Sequence, residues 1–94
     1  MYKRGEKKME RVFATMKNTM LDEKTRGLAA IELFQKGKIR LYAESIDIPD
    51  IIKLFYLADH LAHTSVEVFV GRILKSIKNN KFYCQHKWYI KEVK

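Results

Sequence analysis

Apolar and polar residues alternate on both sides of a short polar segment in LAAIELFQKGKIRLYAE, residues 28–44. A four-residue turn that ends at a left-handed Gly37 places Glu32 opposite Arg40 and Ala30 opposite Tyr42 on the same face. One face of the pair is then apolar and the other holds an ion pair, which is typical of an antiparallel hairpin. A helix over 22–36 is the alternative for the first half, because that segment begins with acids and has apolar residues at helical spacing. We predict the hairpin, because one register accounts for both halves.

Helical spacing replaces alternation in the middle of the chain. The segment SIDIPDIIKLFYLADHLAH predicts a helix near 48–63 whose start is marked by Asp47, with Pro49 in its first turn. The following TSVE fits a capping box with Thr64 as the cap, and apolar residues at helical spacing predict a second helix near 65–78. Because SVEVFV also alternates, a strand remains an alternative for its first half.

The two ends of the chain carry weaker patterns. Residues 10–18 alternate and favour a strand, with a first helix as the alternative. The segment near 81–92 predicts a strand, or a hairpin if the chain turns at 85–88. As a strand, its core-facing side would hold Phe82, Cys84, His86, Trp88 and Ile90. Its other side would hold Tyr83, Gln85, Lys87, Tyr89 and Lys91.

These elements predict a small single α+β domain over residues 1–94, with a hairpin, two helices and a C-terminal strand or hairpin, and a basic N-terminal arm over about residues 1–9. An apolar fraction of 47% and only four Gly and one Pro support a folded chain. The single cysteine, Cys84, fits a reducing compartment, so we expect a cytoplasmic protein. No apolar run approaches the roughly 18 residues of a membrane span, and no signal-peptide core is visible, so we expect no membrane association.

The net charge of +8 is concentrated at the two ends of the chain. Residues 1–11 carry +3 and residues 68–94 carry +6, whereas residues 12–67 carry −1. Clustered cations raise the local potential that attracts a polyanion. The distribution therefore predicts a nucleic-acid partner, DNA or RNA. An acidic protein bound by an inhibitor or adaptor is the alternative, and a homodimer is compatible with the sequence.

Catalytic chemistry has no recognisable motif in this chain. The four glycines are far apart, so neither nucleotide-binding glycine pattern can be written. Cys84 lacks a local signature of an activated nucleophile, and the eleven acids form no recognisable dyad. His60, His63, Cys84 and His86 lack the paired spacing of a zinc site. We therefore predict a non-enzymatic protein without metal or cofactor.

The stretch LADHLAHTSVEVFVGRILKSI resembles a helix-turn-helix, and the basic KFYCQHKWYI after it resembles the wing of a winged helix. The resemblance covers residues 57–90 and lacks a glycine at the junction. It implies that the second helix reads the major groove through Ser65, Val68, Arg72 and Lys75.

Phosphate contacts and aromatic stacking are the two chemical roles expected of the nucleic-acid-binding residues. The cations predicted to contact nucleic acid are Arg72, Lys75, Lys78, Lys81, Lys87 and Lys91, with Lys3, Arg4, Lys7 and Lys8 of the arm. The predicted aromatic contacts are Tyr83 and Tyr89.

Overall fold

The computed structural model of the protein describes residues 4–93. The elements in chain order are α1 (Arg4–Lys17), α2 (Glu23–Gln35), β1 (Ile39–Ala43), β2 (Ile46–Asp47), α3 (Ile51–Leu57) continued by a π-helix (Ala58–Ala62), α4 (Val66–Lys78) and β3 (Trp88–Glu92). The described residues form a small single α+β domain, as predicted. Its element order differs from the prediction, because two helices precede the first strand.

The sheet has β1 at its centre, antiparallel to β2 on one side and to β3 on the other. The register pairs Leu41 with Ile90 and Tyr42 with Tyr89. Successive side chains of a strand point to opposite faces, and in β1 Leu41 is buried whereas Arg40 and Tyr42 are exposed. The helices therefore cover one face of the sheet and leave the other open to solvent.

Helix α4 lies at the centre of the core, where Phe69, Val70 and Ile73 are fully buried. It packs against α2 and also contacts β3. The ring of Trp88 meets Phe69 edge-on, with 5.7 Å between the ring centroids. The predicted helical assignment of residues 65–78 and the predicted core position of Trp88 are confirmed.

Helices α2 and α4 approach each other closely at two glycines. A Cβ on Gly27 would lie 1.8 Å from the carbonyl oxygen of Glu67, and a Cβ on Gly71 would lie 2.0 Å from that of Glu23. The two helices run in opposite directions here. Glu23, the earlier residue of α2, lies beside Gly71, whereas the later Gly27 lies beside Glu67, which precedes Gly71 in α4. Only glycine permits this approach of the two backbones.

The hairpin predicted over 28–44 is wrong in its first half, which is helix α2. The side chain of Asp22 caps this helix by accepting from the Thr25 backbone N–H at 2.9 Å. Gly37 has the predicted positive φ, 72°, but as part of a Schellman motif. In that motif the N–H of the residue after Gly37 donates to the Leu33 carbonyl at 2.8 Å. The helix that was the alternative is therefore the observed structure.

The position of α2 explains why its pattern misled the prediction. The helix packs against both α1 and α4, so apolar residues are needed around much of its circumference rather than in one stripe. Ala29 and Ala30 are both buried, for example, although they are neighbours in sequence. β1 pairs with β2, which follows it directly, and with β3, about half the chain further on, and a local pattern does not reveal the second pairing.

Residues 10–18 are not a strand but belong largely to α1. Met16 is buried, and Met9, Val12 and Phe13 pack partly buried against the core. These four positions follow the i, i+3, i+4, i+7 spacing of one helical face. Of the predicted basic N-terminal arm, the residues from Arg4 onward belong to α1.

Both central helices begin later than predicted. Helix α3 is capped by Asp50, whose side chain accepts from the Lys53 backbone N–H at 3.0 Å, whereas Asp47 belongs to β2. Helix α4 follows Ser65, which makes no side-chain capping bond, so the capping box with Thr64 does not form. In both helices the N-cap residue, Asp50 or Ser65, directly precedes the first helical turn that has a buried apolar side chain.

The C-terminal segment turns before its strand begins. Cys84 and Gln85 have φ values of 53° and 63°, and Tyr83 and His86 exchange two backbone hydrogen bonds of 3.1 Å across them. Two left-handed residues in this position are the mark of a type I′ turn. The turn breaks the predicted alternation, and Phe82 is consequently exposed rather than in the core.

Candidate nucleic-acid interface

The open face of the sheet brings together aromatic and cationic side chains from β1, β3 and the residues next to them, and an acid from β2. We call it the sheet surface. Its strand residues are read from the alternation in β1 and from the registers that pair Arg40 with Lys91, Tyr42 with Tyr89 and Tyr42 with Asp47. Lys38, Glu44 and Lys87 lie two residues beyond these paired positions, so they are on the same face and extend the surface at its ends. The sheet surface consists of Lys38, Arg40, Tyr42, Glu44, Asp47, Lys87, Tyr89 and Lys91.

Two tyrosines lie at the centre of the sheet surface. The rings of Tyr42 and Tyr89 are stacked across the two strands, with centroids 5.3 Å apart and an angle of 21° between their planes. Tyr42 is exposed and Tyr89 is half-buried. The ammonium group of Lys87 lies 5.8 Å from the centroid of the Tyr89 ring. The pair forms a small aromatic platform with a cation at its side.

Cations outnumber acids on the sheet surface. Arg40 and Lys91 face each other across β1 and β3, two residues along each strand from the tyrosines. They are therefore the next pair on the same face of the sheet. Lys38 and Lys87 lie towards opposite ends, and the two acids are Glu44 and Asp47. The surface is therefore suited to a ligand that has both negative charges and flat apolar groups.

Arg72 and Tyr83, both predicted to bind nucleic acid, contact each other. The Nη1 atom of Arg72 donates to the Tyr83 hydroxyl at 3.4 Å, and its Nε lies 3.9 Å from a carboxylate oxygen of Glu23. The hydrogen bond with Tyr83 raises the pKa of Arg72, and burial raises the pKa of Tyr83. The Tyr83 ring packs on Phe69, and its carbonyl accepts from the Trp88 indole at 3.1 Å. These contacts give both residues structural roles in joining α4 to the turn before β3.

Helix α4 is buried on the side that faces α2 and the sheet. Of the four residues expected to read the major groove, Ser65 and Lys75 are exposed and Val68 is half-buried. Arg72 is engaged as described above. None of these four residues is buried, so they share the uncovered face of α4, and their role in reading a groove stays a prediction.

A groove beside β3 connects the sheet surface to α4. Lys78 and Lys91 both line it, together with the apolar side chains of Leu74 and Ile77. Lys78 also lines a neighbouring groove with Lys75. Three predicted cations therefore line a track of two grooves between β3 and α4, which Asp22, Glu23 and Glu92 line as well.

The other predicted cations lie elsewhere. Lys81 is exposed after the end of α4, and Lys8 is exposed on α1. Arg4 and Lys7 belong to α1, and Lys3 lies outside the described residues.

The sequence reasoning missed Lys38, Arg40 and Tyr42 as site residues. The alternation in KIRLYAE did place Arg40 and Tyr42 on the polar face of a strand. Their connection with Tyr89 and Lys91 was hidden because the strand was paired with the wrong partner.

Within residues 4–93, no group of three or more His, Cys, Asp or Glu side chains is placed to hold a metal ion. The Cys84 thiol instead donates to the Leu61 carbonyl at 3.7 Å. Among the helices of the same region, none is long and apolar enough to cross a membrane.

Comparisons of the chain with protein-family models, with curated proteins and with solved structures found no match.

Proposed function

We propose that this protein is a small non-enzymatic factor, regulatory or accessory, that binds single-stranded nucleic acid on its sheet surface. The observation that carries the proposal is the stacked pair of Tyr42 and Tyr89 on an open sheet face, flanked by Arg40 and Lys91. Stacking of a base on an aromatic side chain contributes about 1–3 kcal/mol and tolerates any base, because every base has a flat π face.

The aromatic platform favours single strands over duplex. In a duplex the base faces are already stacked on each other, so an exposed tyrosine finds no free face without unstacking the helix. A single strand can place a base against the platform while its phosphates remain near the cations. The groove that joins Lys91 to Lys78 offers such a strand a path off the sheet surface.

The distribution of charge supports the same ligand. Residues 68–94, which carry +6, supply Lys87 and Lys91 to the sheet surface and Lys75 and Lys78 to the adjoining track. Phosphate contacts with such cations release counterions, so affinity falls as salt rises, by about 0.7 log units per tenfold salt for each phosphate bound by a single strand.

Fluorescence anisotropy with labelled oligonucleotides tests the proposal. The full chain is titrated with one random sequence, single-stranded and as duplex, at two salt concentrations. We expect tighter binding of the single strand and, for Tyr42→Thr and Tyr89→Thr, a loss of about tenfold that is confined to the single strand. Threonine suits a strand, so the fold is expected to survive.

Two controls separate the site from general effects. Tyr56→Ala removes an exposed tyrosine on α3 and is expected to leave affinity unchanged. Lys91→Gln is expected to reduce the salt slope by about 0.7, whereas Lys24→Gln, at an exposed position on α2, leaves it unchanged. Equal losses on duplex and single strand for both tyrosine variants, or absence of binding even at low salt, would contradict the proposal.

A second candidate function is suggested by the outer side of α3. Ile52, Phe55 and Tyr56 are 73%, 56% and 48% exposed and lie on one helical face. Exposed apolar residues that adjoin one another mark interaction surfaces. If the oligonucleotide titrations show no binding, the function is better explained as that of a protein-binding module. Such a module would bind an acidic partner through its basic surface or an apolar partner through this face of α3.

A further inference from the structure

The platform residue Tyr42 adjoins a groove on the side of β2. Tyr89 contacts Tyr42 from the side of β3, so the ring face that remains for a ligand is turned towards β2. The polar side chains that line the groove on this side are Arg40, Tyr42, Glu44, Ser45, Asp47 and Lys91. A base that stacks on the free face of Tyr42 therefore has its edges among these polar side chains.

Asp47 is an unexpected residue on a surface for a polyanion. It is exposed and lies directly opposite Tyr42 in the register of β1 and β2. A carboxylate repels phosphate, so its position beside the platform does not serve phosphate binding. Among the ion pairs of residues 4–93 there is none between Asp47 and Arg40, although both line the groove. The groove therefore presents a hydrogen-bond acceptor and a donor that are not already joined to each other.

We infer that this groove is a base-selecting subsite, in which Asp47 favours guanine over thymine or uracil; the inference rests on the proposed function. A carboxylate accepts hydrogen bonds from the N1–H and the amino group of guanine together. Arginine is a suitable donor to the guanine O6 and N7 acceptors, and Arg40 lines the same groove. Thymine and uracil offer one N–H between two carbonyl oxygens, which a carboxylate repels.

The assignment makes Asp47 a specificity residue rather than an affinity residue. Adenine and cytosine each offer one amino group, so they are expected to bind with intermediate affinity. Removing the negative charge is expected to strengthen binding of a thymine strand slightly, since a repulsion with phosphate is lost. Affinity and selectivity therefore change in opposite directions, which a merely structural role for Asp47 does not produce.

The test compares labelled decathymidine with a decamer in which guanine alternates with thymine, both titrated with the full chain. We expect the parent to bind the guanine-containing strand about tenfold more tightly. Asp47→Asn is expected to reduce this preference to about twofold or less while retaining or improving affinity for decathymidine. Asp59→Asn, which removes an exposed carboxylate in the π-helix that continues α3 and does not line this groove, is the matched control and is expected to keep the preference.

The outcomes distinguish this inference from the proposed function. Equal binding of both strands by the parent, or an unchanged preference in Asp47→Asn, overturns the assignment of the groove but leaves single-strand binding in place. Absence of binding to either strand overturns both. A preference that disappears equally in Asp47→Asn and in Asp59→Asn shows a general charge effect and also overturns the assignment.

Discussion

Substitution of Gly71 by alanine probes the crossing of α2 and α4, where the two backbones lie close together. Alanine is the better helix former by about 1 kcal/mol, so in an exposed helix this change is stabilising. Here the new Cβ would lie 2.0 Å from the carbonyl oxygen of Glu23. That neighbour is backbone, so it cannot rotate away as a side chain would. The clash is relieved only if the helices move apart.

The cost of that movement sets the expected magnitude. A gap of about 1 Å forfeits roughly a quarter to a half of the dispersion energy of the contacts it affects. Overpacking in a core typically costs about 1–3 kcal/mol, and the rigid neighbour at Gly71 favours the upper end. After the gain in helix propensity, we expect Gly71→Ala to lower the free energy of unfolding by about 2 kcal/mol. For a domain of this size the melting temperature then falls by about 10 °C.

The assay is thermal and urea unfolding followed by far-UV circular dichroism. Gly37→Ala is the matched control, because Gly37 has a φ of 72° but no atom near its missing Cβ. Its expected cost is about 1 kcal/mol, from backbone strain alone. Gly27→Ala should resemble Gly71→Ala, and the double variant should cost less than the sum, since one separation of the helices admits both methyl groups. If Gly71→Ala raises the melting temperature, the close crossing is wrong.

Two further predictions concern the helix ends. Arg26 is buried and its Nε donates to the carbonyl of Met16, one of the last carbonyls of α1, at 2.8 Å. Arg26→Leu is therefore expected to lower the free energy of unfolding by about 1.5–3 kcal/mol, measured in urea, and an unchanged value would show that this bond is dispensable. The hydrogen bond from Thr25 lowers the pKa of Asp22 below 3.8, so its contribution is present above that pH and is lost as the pH falls through the lowered value. Asp22→Asn keeps the cap without the charge, and its stability should change less with pH in this acid range than that of the parent; an equal acid dependence would refute this role.

The sequence alone predicted those elements whose signals are local. Helix α4 and the burial of Trp88 follow from the spacing of apolar residues within one segment, because each segment buries a single face in the core. The left-handed Gly37 was predicted as well, although its cause was misread, because a hairpin turn and a Schellman motif both require a positive φ there. Such features depend on backbone sterics and on one buried face.

The tertiary structure decided which elements pair, and with them the candidate site. Arg40 and Tyr42 were expected on a polar strand face, but their neighbours Tyr89 and Lys91 lie about half the chain away. A local pattern does not distinguish one possible partner strand from another. Alternation specifies which face of a strand is buried, but not which strand pairs with it. Tyr83 shows the reverse error, since the turn at the next two residues moves its ring from the open face to Phe69. The surface proposed to bind nucleic acid therefore exists only once distant strands have paired.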